Sequence, residues 1–351
     1  MAESKIENIN IQCEDPIMPP EALKAQFPLT DGMVATVRSG QTTIKKILHG
    51  DDPRLLVVTG PCSIHDIHAA DEYADRLRRL SRELNDRLFI VMRVYFEKPR
   101  TTTGWQGLVI DPFLDDSCQI EEGLTLSRKL LARIAEKGLP AAGEALDIVT
   151  PPYLQDLFSW TAIGARTTES QSHRKMASAL TATVGFKNGT DGNIDIAINA
   201  MQSVASPHNF VSINPQGRVS VIRTTGNPNT HVILRGGTSP NYSAEHVADY
   251  EKRLVDAGFA PRIMIDCSHA NSNRIPENQA VVLDNIIAQK KNGNQSIMGV
   301  MLESNLNGGQ QSIPEDLSKL KYGVSITDAC IDWDTTETLL RRLHRELPRE
   351  L

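Results

Sequence analysis

The chain alternates between short apolar runs and longer segments that carry apolar residues at three- and four-residue spacing. Eight runs have the composition of buried parallel strands. They span residues 54–60, 88–95, 141–146, 161–166, 184–187, 231–235, 262–267 and 296–303. Because a closed (β/α)8 barrel needs eight alternations of strand and helix, the pattern favours a TIM barrel. An open doubly wound sheet is the main alternative, but no Gly-x-Gly-x-x-Gly turn follows the first strand.

The spacing of apolar residues predicts helices over 69–84, 120–134, 194–204 and 244–254. Residues 1–50 are predicted to form an N-terminal extension with an oligomeric or regulatory role, containing helical pieces at 21–27 and 41–48. Residues 51–351 then form the catalytic barrel. Two β-rich runs around Pro215–Gly217 break the alternation and predict a hairpin at about 210–224, inserted before the sixth strand. This hairpin is either a surface decoration or a regulatory or subunit-contact element.

Composition and charge narrow the classes of function. The 351-residue chain is 40% hydrophobic and has a net charge of −6, so it can bury a large core but offers no basic stripe for nucleic acid. No apolar run is long enough to span a membrane, and the polar N-terminus does not resemble a signal peptide. Five widely spaced cysteines do not form a disulfide framework. We therefore expect a cytoplasmic protein that binds neither nucleic acid nor membrane.

Several apolar runs end in a charged residue. The clearest cases are Arg93, Arg166, Lys187, Arg235 and Glu303. A buried strand has no use for a cation, because desolvating a charge costs several kcal/mol unless a partner compensates. Since the carboxyl ends of barrel strands meet at one rim, repeated cations there predict a shared anionic ligand.

Four possible metal ligands lie at or just beyond these strand ends: Cys62, His269, Glu303 and Asp328. Taken singly, they have ordinary explanations as a small buried hydrophobe, a core histidine, a rim ion pair and a helix N-cap. Their joint placement favours a divalent ion instead. Thiolate, imidazole and carboxylate together suit Mn, Fe, Zn or Co better than Mg.

The segment 93–105 concentrates cations in a loop shaped by proline and glycine. Arg100 with the hydroxyl and amide of Thr101 predicts a phosphate seat, although a solvated charged loop would look the same. The planar forks of Arg166 and Arg235 suit a second phosphate. Arg93, Lys98 and Lys187 are candidates for a carboxylate, and repulsion within this cluster predicts a lowered pKa for Lys98.

Eight ordered motifs between about residues 40 and 340 resemble the class I, enterobacterial-type 3-deoxy-D-arabino-heptulosonate-7-phosphate (DAHP) synthases, nearest to the tyrosine-sensitive isoenzymes. They read GPCSIHD, MRVYFEKPRTT, GARTTESQ, VGFKNGTDG, HVILRGG, DCSHANS, GVMLESN and SITDACI. The resemblance implies a TIM barrel that condenses phosphoenolpyruvate with erythrose 4-phosphate, giving DAHP and phosphate. It implies that this is the first step of the shikimate pathway.

The resemblance also implies roles for individual residues. The metal, Mn in the first instance, would be bound by Cys62, His269, Glu303 and Asp328. Phosphoenolpyruvate would be held by Arg93, Lys98, Arg166, Lys187 and Arg235. Erythrose 4-phosphate would bind along Lys98, Arg100 and Thr101, with Asp328 also at the substrate. The catalytic groups would be Lys98, His269 and Glu144, the last of which falls where the family positions a water.

The family's feedback pocket corresponds here to Thr181, Phe210 and Ser212. Serine at 212 accompanies phenylalanine sensitivity in the family, whereas the overall resemblance is to the tyrosine-sensitive enzymes, so the expected effector is either amino acid. The segment 180–183, together with Gln106 and Thr238, departs from the usual family pattern. The resemblance further implies a homotetramer built as a dimer of dimers.

Two other functions remain open at this point. A 3-deoxy-manno-octulosonate-8-phosphate synthase-like enzyme would share the barrel and the chemistry but take a five-carbon sugar phosphate. A barrel that only binds phosphorylated metabolites would need the cations but not a full set of metal ligands. We also expect that oxidation could join Cys62 to Cys330, although an inert core thiol explains Cys330 equally well.

Overall fold

A computed structural model describes residues 7–100 and 102–348. Eight parallel strands form a closed barrel in the order β1-β2-β3-β4-β5-β8-β9-β10, with β10 pairing back onto β1, so the predicted TIM barrel is confirmed. The strands are β1 (Leu55–Gly60), β2 (Leu88–Arg93), β3 (Ala141–Glu144), β4 (Trp160–Ile163), β5 (Thr183–Lys187), β8 (Thr230–Leu234), β9 (Ile263–Asp266) and β10 (Ile297–Glu303).

Helices precede the first barrel strand, lie between successive strands and follow the last one. They are α1 (Pro20–Gln26), α2 (Asp31–His49), α3 (Ile67–Glu83), α4 (Ile120–Glu136), α5 (Pro151–Leu154), α6 (Gln171–Ala177), α7 (Asp195–Val204), α8 (Ala244–Asp256), α9 (Gln279–Lys291) and α10 (Trp333–Glu346). The apolar pattern did not predict α9, because polar Gln279, Gln289 and Lys290 are buried along with its aliphatic residues. Within the described ranges, no helix combines the length and apolar composition that crossing a bilayer requires.

Five strands, β2, β3, β4, β8 and β9, end one to three residues earlier than their apolar runs predict. β2 stops at Arg93 although Val94 and Tyr95 stay buried, because the backbone leaves the sheet while its side chains still pack inside. β4 stops at Ile163, and Gly164 begins a turn in which its carbonyl accepts from the Thr167 amide at 3.0 Å. Arg166 therefore lies in a loop beyond the strand rather than at its last position.

Helix α2 covers the N-terminal opening of the barrel. Thr30 caps its first turn, and Gly50, with φ of 85°, ends it in the left-handed conformation. Its residues Ile44, Ile47 and Leu48 pack against side chains that fill the barrel interior, including Trp160. The helix is longer than the predicted piece at 41–48 because its first two turns extend along the outside of the barrel before that contact.

The predicted hairpin is confirmed as a separate two-stranded antiparallel sheet of β6 (Asn209–Ile213) and β7 (Val219–Arg223). One face carries the exposed valines 211, 219 and 221. The turn reaches α1, where the Glu21 amide donates to the Pro215 carbonyl at 2.9 Å. At the base of the hairpin, the hydroxyls of Ser178 and Thr224 lie 2.9 Å apart.

Gly40 tests how closely α2 approaches the barrel. A Cβ there would collide with Ser159 Oγ and lie 2.9 Å from Pro140 Cβ, whereas a Cβ at Gly32 of the same helix meets nothing closer than 3.8 Å. We expect Gly40→Ala to lower the free energy of unfolding by about 1–3 kcal/mol through overpacking. Gly32→Ala should leave it unchanged or raise it by up to about 1 kcal/mol. Urea unfolding measures both, and equal behaviour of the two variants would contradict this packing.

Candidate active site

A cavity of about 930 Å³ opens at the carboxyl ends of the barrel strands. Among residues 7–100 and 102–348, its wall carries seven cationic side chains, namely Arg93, Lys98, Arg100, Arg166, Lys187, Arg235 and Arg274. The same described residues contribute three carboxylates to it, namely Glu144, Glu303 and Asp328. Because cations outnumber acids in a partly desolvated space, the cavity suits a ligand with several negative charges.

Three of the four predicted metal donors meet in this cavity. The ligand atoms of Cys62, Glu303 and Asp328 all lie within 4.8 Å of one another, and Cys62 Sγ is 3.8 Å from Asp328 Oδ2. Cys62 and Glu303 are buried, whereas Asp328 is exposed to the cavity in the loop after β10 rather than capping α10, whose N-cap is Asp332. A thiol with two carboxylates fits a borderline divalent ion.

His269 stands beside this group rather than inside it. Its Nε2 is 3.8 Å from Glu303 Oε1, and its Nδ1 is 2.9 Å from Asp266 Oδ2 and 2.7 Å from Ser268 Oγ. The contacts at Nδ1 orient the ring so that Nε2 faces Glu303. A carboxylate behind one ring nitrogen is the arrangement typical of histidines that bind metals through the other.

Cys62 and Lys98 are in direct contact. Lys98 Nζ donates to Cys62 Sγ at 3.0 Å and to the Cys62 carbonyl at 2.9 Å. Burial raises the pKa of the Cys62 thiol. Burial alone would lower the pKa of Lys98, but Cys62 and Glu303 outweigh burial and the repulsion from Arg93, so the pKa is raised. The predicted lowering was wrong, because the sequence shows the neighbouring cations but not the sulfur and carboxylate that face the amine.

Arg93 and Glu303 form a buried ion pair that joins the ends of β2 and β10. Arg93 Nη2 donates to Glu303 Oε1 at 2.9 Å and to the Cys62 carbonyl at 3.1 Å, and Arg93 Nε donates to the Pro61 carbonyl at 3.1 Å. The guanidinium lies 3.6 Å from the centre of the Tyr95 ring. These contacts outweigh burial and raise the pKa of Arg93. Glu303, a candidate metal ligand, and Arg93, a candidate substrate-binding cation, therefore hold each other in place.

A second buried pair joins β5 and β9. Lys187 Nζ donates to Asp266 Oδ2 at 3.0 Å, and both side chains are buried. Burial opposes ionisation of Asp266, but His269, Lys187 and Ser268 hold its pKa well below the usual value. Asp266 was not among the predicted site residues. Its position as the last residue of an apolar run, three before His269, was the available signal.

Three buried asparagines fix the backbone that carries the cations. Asn188 Oδ1 accepts from the Arg235 amide at 2.8 Å, and Asn241 Oδ1 accepts from the Gly236 amide at 2.8 Å. Asn271 Nδ2 donates to the carbonyls of Leu234 at 3.1 Å and Asp266 at 2.9 Å. Because buried amides need partners, this network ties the ends of β5, β8 and β9 to one arrangement.

The remaining predicted cations lie along the cavity wall. Burial lowers the pKa of Arg235, and Asp266 partly offsets that effect. The nearby guanidinium groups of Arg166 and Arg274 lower it as well, because they repel the charge of Arg235. Arg100 lines the cavity through the loop after β2. Thr101, the predicted partner of Arg100, lies outside the described residues.

Glu144 separates two cavities. At the end of β3 it lines both the large cavity and a second, largely apolar one of about 30 Å³, room for about one water. Glu97 also lines the small cavity, accepts from Thr150 Oγ1 at 3.2 Å, and has its pKa raised by burial to about 8. Leu180 closes the far side, one residue before the predicted effector residue Thr181.

The three predicted effector residues lie on two neighbouring segments. Phe210 and Ser212 share one face of β6, and Thr181 is exposed in the turn before β5. Asn227, on the connection that follows the hairpin, holds the Thr181 segment, since its Nδ2 donates to the carbonyls of Leu180 at 2.9 Å and Ala182 at 3.1 Å. Cys330, predicted to pair with Cys62, is buried, and both carry free thiols.

Gln279 is a second residue that the sequence did not suggest. At the start of α9 and fully buried, it accepts from the Glu303 amide at 2.8 Å and donates to the Glu303 carbonyl at 2.9 Å. The Gln279 side chain thus makes hydrogen bonds to the Glu303 backbone of the kind that a neighbouring strand would make. No local motif reveals this role, because it depends on how α9 packs against the strand end.

Comparisons with known proteins agree with this geometry. Residues 30–341 match the profile of the DAHP synthetase I family. The chain is 54% identical over 351 residues to the "Phospho-2-dehydro-3-deoxyheptonate aldolase, Tyr-sensitive" of Escherichia coli (strain K12), covering 100% of this chain and 99% of the relative. The corresponding "Phe-sensitive" protein of the same strain is 54% identical over 327 residues, with 93% of each chain covered.

A solved structure is also similar. The phospho-2-dehydro-3-deoxyheptonate aldolase from Francisella tularensis SCHU S4 superposes with a TM-score of 0.94 at 46% identity, covering 96% of this chain and 98% of the other. The two E. coli relatives with different effector names are equally identical to this chain, so overall identity does not select between tyrosine and phenylalanine.

Gln279→Leu tests the support of Glu303. We expect it to lower the free energy of unfolding by about 1–3 kcal/mol, because it leaves the buried Glu303 amide unpaired while the Glu303 carbonyl keeps the Ile331 amide as its donor. It should also weaken Mn²⁺ binding by about tenfold through misplacement of Glu303. Gln289→Leu, which removes a bond to the Tyr242 carbonyl farther along α9, is the matched control. It should lower stability but leave Mn²⁺ affinity unchanged in a calorimetric titration. Equal losses of Mn²⁺ affinity would contradict a specific role for Gln279.

Proposed function

Because the chain belongs to the DAHP synthetase I family, we propose that it joins phosphoenolpyruvate to D-erythrose 4-phosphate at this cavity in a metal-dependent, feedback-inhibited reaction. The chain is a DAHP synthase, and its reaction opens the shikimate pathway to the aromatic amino acids. The observation that carries the assignment to this site is the meeting of a three-donor group with seven cations around one cavity. A phosphorylated carboxylate and a sugar phosphate together supply the anions that such a wall needs.

We assign the ion to Cys62, His269, Glu303 and Asp328, with Mn²⁺ as the first choice and Fe²⁺, Co²⁺ or Zn²⁺ as alternatives. The short distances among three of these donors and the orientation of His269 support the assignment. A bound ion would supply Lewis acidity toward the aldehyde oxygen of erythrose 4-phosphate.

The cations divide between the substrates. Arg93, Lys98 and Lys187 face the carboxylate of phosphoenolpyruvate, and Arg166 and Arg235 face its phosphate. Arg100 and Thr101 take the phosphate of erythrose 4-phosphate, with Asp328 near its aldehyde end. The buried ion pairs, which fix Arg93 and Lys187 deep in the site, support this division.

Held in this register, C3 of phosphoenolpyruvate attacks the aldehyde carbon and positive charge develops at C2. Lys98, kept protonated by Cys62 and Glu303, gives a proton to the new alkoxide. Water held at Glu144 adds to C2 and loses a proton. The resulting hemiketal phosphate then breaks its C–O bond, releasing inorganic phosphate and DAHP. His269, whose Nε2 faces Glu303 at 3.8 Å, would act as one of the ligands of the ion.

An aromatic amino acid is the proposed effector, bound near Thr181, Phe210 and Ser212. The contacts of Ser178 with Thr224 and of Asn227 with Leu180 support a pocket shared by the hairpin and the segment before β5. The exposed valine face of the hairpin suits a subunit contact in a homotetramer arranged as a dimer of dimers. We place the enzyme in the cytoplasm.

The function is tested by mixing the enzyme with phosphoenolpyruvate, Mn²⁺ and either erythrose 4-phosphate or arabinose 5-phosphate and measuring phosphate release. We expect rapid release with the four-carbon sugar, abolition by excess EDTA, and recovery when Mn²⁺ is restored. Faster release with the five-carbon sugar would instead favour a 3-deoxy-manno-octulosonate-8-phosphate synthase-like enzyme. Binding of both substrates without turnover would instead favour a non-catalytic barrel that only binds phosphorylated metabolites.

The effector is tested by titrating phenylalanine and tyrosine against activity in the wild type and in Ser212→Gly. Removing the Ser212 hydroxymethyl group makes room for a phenolic oxygen, so we expect the variant to shift its preference toward tyrosine by about tenfold. Val211→Ser, on the opposite face of the same strand, should keep the wild-type preference. Absence of inhibition by either amino acid at millimolar concentration would refute feedback control.

A further inference from the structure

The loop after β9 holds three non-glycine residues in the left-handed backbone region. They are His269, Asn273 and Arg274, with φ of 56°, 53° and 61°. Asparagine tolerates this conformation because its short side chain bonds locally, whereas arginine adopts it only at a cost in free energy. Such strain persists where the surrounding structure imposes it, often at functional sites.

Hydrogen bonds within the loop impose the conformation of Arg274. Its amide donates to the His269 carbonyl at 2.8 Å, and the Asn273 amide donates to the Ala270 carbonyl at 3.1 Å. Asn278 Nδ2 closes the loop from outside by donating to the Ser272 carbonyl at 3.0 Å. With the backbone held this way, Arg274 and the adjacent Asn273 are both exposed, but of the two only Arg274 lines the large cavity.

The charges around Arg274 point to an anion. In the part of the chain that the structure describes, its guanidinium has no hydrogen-bond acceptor and no carboxylate within ion-pair distance. The nearby charged groups that it affects are Arg235, which it repels, and Asp328, which it attracts. Arg235 is repelled by Arg166 as well. Two guanidinium groups therefore act on Arg235 in a partly desolvated cavity.

We infer that Arg274 is a third guanidinium of the seat for the phosphate of phosphoenolpyruvate, beside Arg166 and Arg235, and that the strained loop exists to place it there. This inference rests on the proposed function. A phosphate dianion offers three oxygens, each able to accept from a guanidinium fork. Arg274 acts on Arg235, one of the two arginines assigned to the phosphate of phosphoenolpyruvate, whereas the predicted seat for the sugar phosphate is on the loop of Arg100 after β2. Arg274 should therefore affect phosphoenolpyruvate and not the sugar.

The test compares Arg274→Gln, Arg274→Lys and Asn273→Gly in the full-length protein with Mn²⁺ present. Calorimetric titration with phosphoenolpyruvate should show affinity reduced about tenfold or more in Arg274→Gln, as expected for loss of a charge-assisted bond. Arg274→Lys should recover part of the loss because it keeps the charge. Asn273→Gly should bind like the wild type, and KM for erythrose 4-phosphate should change by less than about twofold in all three.

Arg274→Gly separates a binding role from a structural one. Glycine relieves the left-handed strain, so its thermal unfolding midpoint should rise while its affinity for phosphoenolpyruvate falls. A residue that only stabilised the loop would move both quantities in the same direction. Wild-type affinity in Arg274→Gln, or a raised KM for erythrose 4-phosphate instead, would overturn the inference. Failure of the wild type itself to bind phosphoenolpyruvate would refute the proposed function whatever the variants do.

Discussion

The cost of burying charge governs this structure. Arg93, Lys187, Asp266 and Glu303 lie almost entirely out of water, where an unpaired ion would cost several kcal/mol. They are tolerated because they pair across the barrel, Arg93 with Glu303 and Lys187 with Asp266. The pairs are part of the candidate site: each fixes one candidate substrate cation by a carboxylate that is itself a candidate ion ligand or contacts one. Because cations outnumber carboxylates on the described cavity wall, the cavity suits a ligand with several negative charges.

The closed barrel makes this arrangement possible. Parallel strands deliver their last residues to one rim, and interior side chains packed on α2 close the opposite opening. Below the rim, the core pair of Trp160 and His231 is uncharged, since Trp160 Nε1 donates to His231 Nε2 at 2.9 Å and burial lowers the pKa of His231 to about 4.

The fold could be predicted from the sequence because the barrel strands are visible as apolar runs, several of which end at a charged residue. Sequence reasoning brought Cys62, Glu303 and Asp328 to one place for the same reason. It missed Gln279 and Arg274, whose positions depend on how helix α9 and a strained loop pack and not on any local pattern. It gave the wrong direction for the pKa of Lys98, because neighbours along the chain are cations while the neighbours in space are a sulfur and a carboxylate. It also extended β4 to Arg166, since periodicity does not show where Gly164 turns the backbone.

The strands that close the barrel are its first and last, β1 and β10. Cys62 follows the first, and Glu303 and Asp328 belong to the last strand and the loop beyond it. The candidate ion-binding group therefore draws residues from both ends of the barrel sequence, and it stays incomplete on a ribosome until translation has passed Asp328. During synthesis the Cys62 thiol emerges without its carboxylate partners, so a partly made chain cannot capture a metal ion at this site. The candidate metal site is therefore completed at the same stage as the pairing of β10 with β1, which closes the barrel.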